Sequence, residues 1–169
     1  MAGYRPYGFF CAYTISGATP HISSRTMAAQ TWVQGAVLWA LAAGTVDEAD
    51  DDTSDVLGSS MEDVASGVSG GPNSATCMVA VMNADTVWRT VDAADLTAPT
   101  VAEIGALADL DLAAGSGATA KWGILQGTAG TGSTPNFRII DVDTVRLEYI
   151  VIPAPLEVAD VFQMFDAAI

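Results

Sequence analysis

Residues that do chemistry are what this chain has least of: one histidine, one lysine and two cysteines among 169 residues. His21 has no second histidine with which to share a metal, and Cys11 and Cys77 are far too distant for a CxxC ligand pair. Basic residues are scarce as well. Arg5, Arg25, Arg89, Lys121, Arg138 and Arg146 are scattered among twenty acids, and the net charge is −14 at pH 7. Phosphate binding depends on clustered Lys and Arg that displace counterions, so neither nucleic acid nor an anionic membrane surface is an expected partner. Long apolar runs are missing too. Met27 to Ala43 is interrupted by Gln30, Gln34 and Gly35 and falls short of the roughly 20 residues that cross a bilayer. The start, Met1 to Pro6, lacks the basic stretch and apolar run of a secretory signal, so the chain is expected to stay in the cytoplasm where it is made. Cys11 and Cys77 are then expected to be reduced and buried.

What the chain does have is apolar and small. Half its residues are hydrophobic and 15% are charged, against about a quarter in an ordinary globular protein. Its surface must therefore be largely Ser, Thr, Gly, Ala and Asn, a skin suited to contact with another protein. The length fits one core, in which roughly 70% of the unfolded chain's surface can be buried. The composition predicts a protein that packs and binds, with no catalytic residue, metal ligand or cofactor site.

The periodicity is that of strands. Thr31 to Leu41 is rich in Val, Leu and Trp, and an acidic loop from Asp47 to Asp55 follows it. Val56-Leu57 and Met61 to Ala65 resume the apolar pattern before the turn-forming segment Gly67 to Ser74. Cys77 to Met82 and Thr86 to Val91 read as strands joined by a turn at Asn83 to Asp85. Phe137 to Ile140 and Thr144 to Ile152 form the clearest hairpin, around Asp141 to Asp143, with Val145, Leu147, Tyr149 and Val151 on one face. Ala114 to Thr119 and Gly127 to Pro135 read as long surface loops.

Helical signals are few. Thr100 and Glu103 have capping-box spacing, which predicts a short helix over 101–109. Val158, Val161, Phe162 and Phe165 recur at helical intervals after Pro153 and Pro155, which predicts an amphipathic C-terminal helix. The fold class expected is all-β, a β-sandwich or small β-barrel with long loops. Residues 1–30 form an N-terminal arm or first strand, 31–153 a β-rich core and 154–169 the helical tail. No internal repeat is evident.

Each candidate site has a plain structural alternative. The run Asp47 to Asp55 carries six acids in nine positions, but Ala49 stands where an EF-hand needs its second ligand and Asp52 where it needs glycine. It reads as a solvated loop that supplies negative potential. Asp141 and Asp143, beside a turn, are expected to accept hydrogen bonds from local amides. Ser23 and Ser24 lie near His21, yet no G-x-S-x-G elbow is present. Gly127 to Gly132 lacks the Lys-Ser/Thr of a phosphate loop. Trp32, Trp39, Trp88 and Trp122 read as core or contact residues rather than a sugar platform. Tyr4, Tyr7, Phe9, Phe10 and Tyr13 crowd the N-terminus, either as a first strand in the core or as an arm whose rings anchor in a neighbour. Together with Val158, Val161, Phe162 and Phe165 they are the candidate interface.

The order of blocks resembles the head decoration, or cement, proteins of tailed bacteriophages. Gly35 to Leu38, Gly44 to Ala49 and Asp55 to Gly58 look like their opening strand, turn and return strand. Val79 to Val81 with Thr86 to Trp88, Ile104-Gly105 with Asp109-Leu110, and Phe137 to Asp141 resemble the later blocks. The similarity runs from about Val33 to Ile152. It implies a non-enzymatic virion protein that binds the major capsid protein on the outer capsid surface and bridges shell subunits, with a trimer as the favoured form. Two other classes share parts of this pattern: a head-fibre base or tail protein, and a ligand-binding β module or small hydrolase.

Overall fold

The computed structural model describes residues 7–27, 31–41, 45–49, 56–64, 76–94, 96–112, 120–125 and 137–154. Among them the chain is all-β. The strands are β1 (Phe10–Thr14), β2 (Ile22–Thr26), β3 (Val37–Ala40), β4 (Val46–Glu48), β5 (Val56–Ser60), β6 (Thr76–Val81), β7 (Thr86–Thr90), β8 (Leu107–Leu112), β9 (Trp122–Leu125), β10 (Phe137–Asp143) and β11 (Glu148–Pro153). One antiparallel sheet has the order β2-β6-β5-β3-β4, and the other β1-β7-β11-β10-β8-β9. A single apolar cluster joins them. Trp32, Leu38, Val46 and Val79 of the first sheet's half pack with Trp88, Trp122, Ile124, Phe137, Ile139 and Tyr149 of the second. Each such side chain contributes roughly 1.5–3 kcal/mol when fully buried.

An isolated bridge links the first and third strands of each five-strand set. Met27, just after β2, bridges Val46 of β4 in parallel, and Asp92, just after β7, bridges Ile124 of β9 in parallel. The second bridge is hydrogen-bonded: Ile124 N–H donates to the Val91 carbonyl at 2.9 Å, and Ala93 N–H to the Ile124 carbonyl at 3.2 Å.

The two sheets also repeat one another, a feature not expected from the sequence. Strands β2 to β6 and β7 to β11 are two successive sets of five. In each set the first strand pairs with the fifth, the fifth with the fourth, the fourth with the second and the second with the third, while the third meets the first in the isolated bridge. The register repeats as well. Ser60 stands opposite Val79 in one set and Ile139 opposite Val151 in the other; Ala40 faces Val46, and Leu110 faces Ile124. Gly35 N–H donates to the Ser60 carbonyl and Ser60 N–H to that of Ala36, both at 2.9 Å. Gly105 N–H donates to Ile139 at 2.8 Å, and Ile139 N–H to Ala106 at 3.0 Å. Both glycines sit in the left-handed region, at φ +90° and +93°, where a side chain is strained. The backbone scheme tolerates many side chains, so Ser60 and Ile139, or Met27 and Asp92, hold equivalent places with little sequence in common.

Three expectations about individual elements need correction. The helix expected over 101–109 is a 3-10 turn at Val101–Glu103, and β8 begins at Leu107. The cap itself forms, with Thr100 N–H donating to the Glu103 carboxylate at 2.5 Å. Gly105 then redirects the chain, and its hydrogen bonds with β10 commit it to the sheet. Second, Thr31 to Leu41 is not one strand. Trp32 makes an isolated bridge to Val64, Gly35 turns, and β3 starts at Val37. The turn expected at Asn83 to Asp85 does join β6 and β7; the two strands lie in different sheets, so this turn is the crossing between the two repeats. Third, β10 runs on through Asp143, and the hairpin turn is Thr144 to Leu147, leaving Val145 90% exposed. The Asp143 carboxylate accepts from the amides of Val145 at 3.0 Å and Arg146 at 2.9 Å. The bond from Arg146 is the main reason its pKa lies below the usual carboxylate value. Asp141 likewise accepts from the Val142 amide at 2.8 Å. The predicted C-terminal helix and both long loops lie outside the described residues.

Candidate interaction surface

The aromatic N-terminus divides by burial. Phe9 is 1% exposed and stacks on Phe137, with ring centroids 4.8 Å apart. Its backbone joins the two sheets. Gly8 N–H donates to the Trp122 carbonyl at 2.8 Å, Phe9 N–H to the Gly35 carbonyl at 2.9 Å, and the Ser59 hydroxyl to the Phe9 carbonyl at 2.6 Å. Phe9 is therefore a core residue and not a free interface side chain. Phe10 is half-buried against Gly35, where an added Cβ would stand 2.8 Å from the Phe10 ring. Tyr7 is half-buried, with Lys121 Nζ 5.1 Å from its ring centre, a cation–π contact.

Tyr13 is the aromatic that faces outward, at 54% exposure. It lies on β1, which covers one edge of β7 with Phe10 opposite Arg89, Cys11 opposite Trp88 and Tyr13 opposite Val87. A register shift between Cys11 and Tyr13 marks an irregularity there. Beyond β1, the chain is tied to the crossing turn. Ile15 N–H donates to the Asp85 carbonyl, and the Ser16 amide and hydroxyl donate to its carboxylate at 2.8 and 2.6 Å. Ile15 just after β1, Ile22 on β2 and Met78 on β6 are further exposed apolar side chains. Their exposure is not signalled by periodicity. Tyr4, Val158, Val161, Phe162 and Phe165 lie outside the described residues.

The residues considered for chemistry are dispersed. Among the described residues no three His, Cys, Asp or Glu side chains gather as a metal site. His21 is exposed at the start of β2. Cys77 is a free thiol on β6, and burial, then the nearby Glu62 carboxylate, pushes its pKa up to about 11. Cys11 is also free, and burial raises its pKa. Both are held as thiols, the unreactive form. Asp47 and Glu48 of the acidic run belong to β4, and Glu48 accepts a hydrogen bond from Trp122 Nε1 at 2.9 Å, linking β4 to β9. Ala49 is buried, and residues 50–55 of that run lie outside the described residues. Trp32, Trp88 and Trp122 are core residues, and Trp39 is half-buried against the core.

The features define an all-β protein of two repeated antiparallel sheets on one core. A scan of protein-family models and searches of curated proteins and of solved structures found no match to this chain.

Proposed function

We propose that this chain is a non-enzymatic decoration protein of a bacteriophage virion. It binds the major capsid protein on the outer capsid surface and bridges neighbouring shell subunits, with a trimer as the favoured assembly. The observation that carries the reading is where the decoration-protein blocks fall. Gly35 to Leu38 enters β3, Val56 to Gly58 opens β5, Val79 to Val81 closes β6, Thr86 to Trp88 opens β7, and Phe137 to Asp141 fills most of β10. Most of the resemblance thus falls on strands of both repeats, with Asp109-Leu110 in β8 and Ile104-Gly105 in the turn before it. The sparse charge and the exposed Tyr13, Ile15, Ile22 and Met78 suit a nearly neutral contact. Many copies on a symmetric shell reach high avidity with modest contact per copy.

Electron microscopy of native particles, with the chain located by a specific antibody, tests this directly. Added to shells that lack it, the purified protein should bind at saturable copy number and raise the temperature or pressure at which they rupture. Absence from the outer shell, or no binding to such shells, refutes the proposal.

A further inference from the structure

The repeat exposes a difference between its two halves. Registering Val79 on Val151 makes Ile22, Ser23 and Ser24 of β2 the counterparts of Val87, Trp88 and Arg89 of β7. On β7 the edge at those positions is covered by β1. On β2 the equivalent edge from Ile22 to Ser24 has no strand partner among the described residues, and the contact on that side is the Met27–Val46 bridge beyond the end of β2. The His21 carbonyl accepts from Val81 N–H at 2.9 Å on the β6 side. Alternation along the strand therefore turns the N–H and C=O groups of Ile22 and Ser24 outward.

We infer that this edge of β2 docks an extended, uncharged protein segment with an aromatic or apolar side chain opposite Ile22, as β1 docks on β7. Two observations specify the occupant. The strand on the counterpart edge, Phe10-Cys-Ala-Tyr-Thr14, carries no charge and sets Tyr13 opposite Val87, the equivalent of Ile22. Ile22 and Met78, 41% and 40% exposed, lie on one face beside the edge, because Ile22 faces Ala80 and Ser24 faces Met78. An apolar side chain opposite Ile22 would cover both. Backbone hydrogen bonds supply the affinity, and the Ile22 position supplies the selectivity. This goes beyond capsid binding and does not depend on it.

The probe is a synthetic peptide copying Phe10 to Ser16 with Cys11→Ser, added to the full chain. Amide exchange followed by NMR should slow at Ile22 and Ser24 by about tenfold or more, and binding should saturate below roughly 1 mM. Ser24→Pro removes an outward N–H at an edge position where proline is tolerated, and should weaken binding about tenfold with an unchanged circular dichroism spectrum. Ile22→Lys, a change at an exposed side chain, should weaken it several-fold and serves if the proline variant does not fold. No slowing at these amides, or slowing on β7 with displacement of β1, overturns the proposal. So does a wild-type dimer that Ser24→Pro converts to monomer, because the edge would then be occupied by a second copy.

Discussion

Replacing Phe9 by Ala tests most directly whether the N-terminal aromatics are core or arm. The ring is 1% exposed, stacks on Phe137 at 4.8 Å, and sits where the chain bonds to both sheets through Trp122, Gly35 and Ser59. Truncation leaves a cavity between the sheets while those backbone bonds can persist, and such Phe→Ala changes cost about 3–5 kcal/mol. In a chain of 169 residues this corresponds to a fall in Tm of roughly 6–20 °C, at about 2–4 °C per kcal/mol. Tyr13→Ala is the control. Its side chain is 54% exposed, and the change should lie within about 0.5 kcal/mol of wild type. Urea unfolding followed by tryptophan fluorescence and circular dichroism reads both, since Trp32, Trp88 and Trp122 are buried. A loss below about 1 kcal/mol for Phe9→Ala, with unchanged dependence on urea, would mean that the ring does not hold the sheets together.

Gly35→Ala and Gly105→Ala both place a side chain at φ near +90°, but only Gly35 also meets Phe10, so it should destabilise more; about 1–3 kcal/mol is expected for the backbone strain alone, and equal losses in thermal melts would contradict the packing at Gly35. Trp122→Phe deletes the bond to Glu48, a loss of about 1.5–3 kcal/mol, and also shrinks a buried ring, so the total by urea titration should be at least that large. The thiol of Cys77 has a folded pKa near 11, above its ordinary 9.0, so between those values the unfolded state loses its proton first. Stability contributed by Cys77 should be intact below pH 9 and lost as pH rises towards 11, and Cys77→Ala should flatten that part of the stability–pH curve. Alkylation of Cys77 at pH 8 should correspondingly be slow in the native protein and fast in urea, which mass spectrometry resolves.

Much of this molecule was readable before folding. The alternation in Thr86 to Val91 and Phe137 to Ile152, with turn residues between apolar blocks, is a local property of the backbone and predicts strands without reference to neighbours. Asp141 and Asp143 bond to amides within three residues, so proximity in the chain was enough to place them. The capping box was legible for the same reason, but its helix was not. Whether the residues after Glu103 continue a helix depends on Gly105 and Ala106 bonding to Ile139, 34 and 33 positions away in the chain by subtraction of these numbers.

The sequence by itself determined the all-β class, the shortage of groups able to assemble a reactive centre, and the burial of most tryptophans, because each follows from composition or from spacing along one strand. Only the tertiary structure decided that Phe9 is core while Tyr13 is exposed, that the Asn83 to Asp85 turn crosses between sheets, and that two sets of five strands share one pairing scheme. The physical reason is that antiparallel pairing constrains backbone groups far apart in the chain and places few demands on side-chain identity. A repeated register can therefore persist where the residues that occupy it, such as Ser23 and Trp88, have nothing in common.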